Sequence, residues 1–114
     1  MLDTSRLDAA VDRFADRLRA APQSRLVRGA AAEGLALARE LAVRAQRLEG
    51  EPRPRQMPDA GVFAVGDQLT VAGRDLAEAL RAVGRTAGDG TTAPSREVDE
   101  AVRLVEEAEL RAMR

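Results

Sequence analysis

The chain contains no histidine, cysteine, lysine, tyrosine, tryptophan, asparagine or isoleucine. These absences remove the imidazole base, the thiolate, the Schiff-base amine and the soft metal ligands together. Carboxylate, guanidinium, amide and hydroxyl groups are what remain for chemistry. Ser5, Ser24 and Ser95 have no base to activate them, so they read as helix caps and not as nucleophiles. Haem ligation through His is excluded, as are di-metal bundles built on Glu-x-x-His. No Gly-rich phosphate loop is present, because Gly84 to Gly90 has no Lys and follows no strand. The sequence therefore predicts a non-catalytic protein with no cofactor and no metal.

Other absences bound its setting. Without cysteine there is no disulfide. Met1-Leu2-Asp3-Thr4-Ser5-Arg6 has no apolar signal core, and no apolar run approaches the ~20 residues that span a bilayer. The expected location is the cytoplasm, with no membrane partner.

Aromatics are nearly missing too, with only Phe14 and Phe63 in 114 residues. The core must come from Leu, Val and 23 Ala. Such a core buries less area per residue than an aromatic one, and dimerisation is the common remedy for a marginal monomer.

All 18 basic residues are Arg. Lys, Asn, Ile, Tyr, Phe and Met total five residues, all of them Phe or Met. This pattern fits GC-rich coding, so Arg-richness alone says little about nucleic acid. The net charge is −1, which gives no general pull toward polyanions. Residues 1–58 carry eleven Arg against eight acids, and residues 59–114 carry seven against eleven. The halves are read as neutralising each other within one domain.

Four segments repeat apolar residues at helical spacing. They predict an all-α, antiparallel up-down four-helix bundle with helices over about 3–21, 24–49, 59–83 and 95–113. The first stripe is Leu7, Val11, Phe14, Leu18 and Ala21, with Ser5 and Asp8 spaced like a capping box and Pro22 as the stop. The second is Val27, Ala31, Gly34, Ala38, Leu41, Ala45 and Leu48, widened by Leu26, Ala30, Leu35 and Leu37. The short Pro22-Gln23 break predicts an antiparallel hairpin of these two helices.

A Pro-rich linker over 50–58 favours a stiff, extended path long enough to cross a bundle end. The third segment places Val62, Val65, Leu69, Ala72, Leu76, Ala79 and Val83 on one face. Its rival is a hairpin turning at Gly66-Asp67, which would need a partner sheet the chain does not offer. Residues 84–94 read as a Gly/Thr loop. The last helix turns Val98, Ala101, Val102, Val105, Ala108 and Ala112 inward. Its acids, Glu109 among them, fall on a wet face with Asp99–Arg103 and Glu107–Arg111 as i,i+4 pairs.

Two constellations are candidate sites. Gly66, Thr70, Gly73 and Ala77 form a row of small residues that permits close approach, either to the small residues Ala31, Gly34, Ala38 and Ala45 of the second helix or to a second copy. Arg44, Arg47, Arg53 and Arg55 form a cluster suited to an anion or an acidic partner, with Glu40, Glu49 and Glu51 near enough to neutralise it. A helix-turn-helix over Ala30 to Leu41 is disfavoured, because Leu37, Ala38 and Leu41 are apolar where base-reading side chains belong. The expected function is a small helical interaction protein that self-associates, with a homodimer or another protein as partner. A nucleic-acid-associated regulator using the Arg patches and a small-ligand-binding bundle are the alternatives.

Overall fold

The protein is described from a computed structural model that places residues 2–87 and 93–114. Helix α1 runs Ser5–Ala20. Helix α2, Gln23–Arg25, passes through one π-turn, Leu26–Ala30, into α3, Ala31–Leu48. A 3-10 turn, Val62–Ala64, leads into α4, Val65–Ala87, and α5 spans Ala93–Ala112. The all-α four-helix bundle is the expected architecture, and no strand occurs among the described residues.

The hairpin alternative at 62–71 is therefore replaced by helix. On α4 the stripe Val65, Leu69, Ala72, Leu76 and Ala79 is buried, so one helical face satisfies the whole segment. Two bounds differ from expectation. Asp59 to Gly61 lie before the helix, and the helix runs on through 84–87, which reads as loop in the sequence. Ala93 and Pro94 already belong to α5, and the rest of the expected loop, Gly88 to Thr92, lies outside the described residues.

The linker does more than cross a bundle end. Gln46 Nε2 donates to the Arg55 carbonyl at 3.0 Å, and Arg39 Nε donates to the Met57 carbonyl at 2.8 Å. The chain thus retraces α3 from its end toward its start. Nine residues at ~3.1 Å each reach about 28 Å, the length of an 18-residue helix at ~1.5 Å per residue. Consequently α3 and α4 run parallel, and the four rods go up, down, down, up. Helix α1 neighbours α4 and α5, and α3 neighbours the same two. The expected hairpin partners α1 and α3 are antiparallel but lie across the bundle diagonal.

The caps also differ. Ser5 is the first residue of α1, and its N–H donates to Asp3 Oδ1 at 2.9 Å. Hydrogen bonding from Ser5, its side chain first and then this N–H, holds the exposed Asp3 carboxyl below the usual carboxylate range. The buried Thr4 hydroxyl donates to Asp8 and accepts from Arg81 Nη1 at 2.7 Å, tying α1 to α4. Ser24 and Ser95 sit inside α2 and α5 and cap neither.

The largest departure in the second rod is at Val27. A regular helix puts it in the buried stripe, yet it is 66% exposed, and Leu26 and Ala30 are buried in its place. The cause is a kink inside the turn, where the non-helical backbone of Gly29 breaks the helical register. Gly29 makes the turn possible at φ +154°, where an L side chain is strained.

On α5 all six inward residues are buried, but Glu109 is not on a wet face: it is 5% exposed. Its carboxylate accepts from Arg13 Nε at 3.2 Å and Arg17 Nη1 at 3.1 Å, both on α1. Asp99 likewise pairs across to Arg6, and Arg111 to Glu33, so of the two expected local pairs neither forms. Replacing Glu109 by Gln should lower the unfolding free energy by about 1–3 kcal/mol, the range for hydrogen bonds to a charged group. Both arginines stay more than half exposed and hydrated, which keeps the loss below that of a fully buried pair. Urea denaturation checks it, and an unchanged midpoint would show the contact to be energetically idle.

Candidate functional site

Arg44 is drawn into an ion network. It faces Glu40 at 2.6 Å on its own helix and Glu100 at 3.2 Å on α5, with Glu97 at 3.8 Å. Burial alone would lower its pKa, but the bonds from Glu40 and Glu100 more than offset this and raise it. Its charge is spent holding α3 to α5. The adjoining cleft, about 390 Å³, is lined by Arg44 and Arg47 against Glu40, Glu97 and Glu100. Three carboxylates outnumber two guanidiniums there. Arg53 and Arg55 do not line it: their main-chain N–H groups bond to Glu51 and Gln46 along the linker. The four arginines named by sequence do not converge on one site.

The small-residue row is packed within the chain, against α1. A Cβ on Gly73 would sit 2.7 Å from Val11 Cγ1, and one on Gly66 would sit 2.8 Å from Arg19 Cγ. The Thr70 hydroxyl donates to the Gly66 carbonyl at 3.1 Å and accepts from Arg19 Nη2 at 2.8 Å. Ala77 is buried in the same seam. These residues let α1 and α4 approach closely. The small residues of α3 serve a different contact, with Gly34 facing Val65 and Leu18.

Two features lie outside both candidates, and both are at the end of the bundle where α1 finishes. The π-turn and the 3-10 turn touch there. Val27 on the first is 66% exposed, and Phe63 on the second is 70% exposed. Phe14, the other aromatic, is fully buried. Large apolar side chains are normally the first to be covered in a chain so poor in them. Here two breaks in helical regularity each turn one outward. Val27 is flanked in sequence by Arg25 and Arg28, and Phe63 by Asp59 and Asp67. The second feature is a cleft of about 470 Å³ on the other side of the π-turn, between α3 and α5, lined by Arg25, Arg28, Arg111 and Arg114. Gly29 inside a strong helical pattern was the signal in the sequence for both.

Among the described residues no cluster of His, Cys, Asp or Glu could hold a metal ion, and no helix is long and apolar enough to cross a membrane. Carboxylates and guanidiniums held in these positions can bind, orient and neutralise. Comparison with known proteins adds nothing to this geometry: no family model, no curated protein and no solved structure matches the chain.

Proposed function

We propose that the chain is a non-catalytic helical interaction protein that self-associates through the end carrying Val27 and Phe63. The observation that supports this most is the outward placement of these two side chains on touching turns. A two-fold interface puts the same patch on both copies, so residue i of one meets residue j of the other and the reverse. The patch suits that rule, since Val27 and Phe63 stand outward on touching turns and a two-fold rotation can lay the Val27 of one copy on the Phe63 of the next.

So small an apolar patch makes the dimer weak and concentration-dependent. The cytoplasm is the proposed setting, since nothing in the fold depends on an oxidising compartment.

Phe63→Glu should convert the dimer to monomer while leaving helix content and the unfolding midpoint of the monomer unchanged, because the side chain makes little contact with its own core. Sedimentation velocity and far-UV circular dichroism read the two quantities. A variant that still dimerises at the native concentration would place the interface elsewhere.

A further inference from the structure

We infer that the cleft beside the π-turn is a binding site for an oxyanion of the phosphate or carboxylate type. This does not rest on self-association. Four guanidinium groups, on Arg25, Arg28, Arg111 and Arg114, line the cleft with one carboxylate, Glu33. The Arg44 cleft has the opposite balance, two against three. Charges of one sign gathered in a concavity repel one another and raise the local affinity for a counter-ion.

Two of the four guanidiniums are engaged internally. Arg111 Nε donates to Glu33 Oε2 at 3.0 Å, and Arg25 Nη1 donates to the Arg114 main-chain oxygen at 3.0 Å. The guanidinium of Arg28 has no hydrogen-bond or ion-pair partner among the described residues. Arg offers a planar fork of donors that fits two oxygens of one anion. Gly29 is part of the lining, and a Cβ there would meet nothing within 4 Å. The space above its backbone is open, so an anion can approach the main chain as well as the side chains.

The probes are sodium phosphate and sodium succinate, titrated at constant ionic strength with chloride as the balancing anion. Two-dimensional NMR follows the Gly29 amide and the arginine Nε–H groups. Saturable shifts confined to Gly29, Arg28 and Arg111 are expected, and the tighter-binding probe identifies whether phosphate or carboxylate is the source. Arg28→Gln should weaken binding about fivefold or more. Phe63→Glu should leave it unchanged, which separates this site from the self-association face. Linear, non-saturating shifts, or equal shifts at Arg47, Arg74 and Arg85, would overturn the assignment. Undiminished affinity in Arg28→Gln, or lost affinity in Phe63→Glu, would overturn it as well.

Discussion

Phe14→Ala is expected to lower the unfolding free energy by about 3–5 kcal/mol, the range for deleting a buried aromatic ring. Phe14 is fully buried in the middle of α1, and it is the only aromatic in the core. Its neighbours in the core cluster are Leu, Val and many Ala, all with short or branched side chains. Such groups cannot swing far enough to refill the space, so a large residual cavity should persist. A domain of this size has about 5–15 kcal/mol in total. The variant should therefore lose about a fifth or more of it, seen as a lower urea midpoint with an unchanged slope. A loss under 1 kcal/mol would mean that the ring is not an anchor of the core.

Gly73→Leu should be comparably damaging for the opposite reason. At Gly73 even a methyl would press on Val11, 2.7 Å from Cγ1 and 2.9 Å from Cγ2, so α1 and α4 must separate to admit four more carbons. Overpacking typically costs about 1–3 kcal/mol, and more where backbones must move. The move would also strain the Arg19–Thr70 bond in the same seam. The variant should unfold at lower urea and bind hydrophobic dyes. Native-like stability would show that the α1–α4 seam is loose.

These two residues mark what the sequence made legible. Phe14 lies on a clean 3.6-residue stripe, and Gly73 on a row of small residues. Both needed only periodicity and size to be placed inside. α5 was legible for the same reason, since Val98, Val102 and Val105 recur with no interruption. Val27 was not, because stripe counting assumes a constant 100° per residue and the π-turn breaks that count. Glu109 was hidden for a tertiary reason. It borders the apolar stripe of α5, and only the packing of α1 brings Arg13 and Arg17 within reach of it. The two arginines stand four apart on one face of α1, a like-charge pair that already asked for an anion between them.

The direction of α4 was hidden by the linker. Its prolines indicate stiffness, but the retracing path depends on Gln46 and Arg39 gripping its carbonyl groups. Of the candidate sites, the glycine row packs within the chain, and its partner is α1 and not the second helix that the small residues of α3 suggested. The Arg44 cluster was scattered because Glu97 and Glu100 arrive from a helix distant in sequence. The exposed end was missed because Val27 read as part of the buried stripe of the second helix and Phe63 stood beside the stripe of the third.

The most direct test of self-association is the mass of the native chain in solution, followed by sedimentation equilibrium from micromolar to millimolar concentration. The structure predicts a reversible rise from 12.2 kDa toward twice that value, abolished by Phe63→Glu. A mass of 12.2 kDa at every concentration would contradict it.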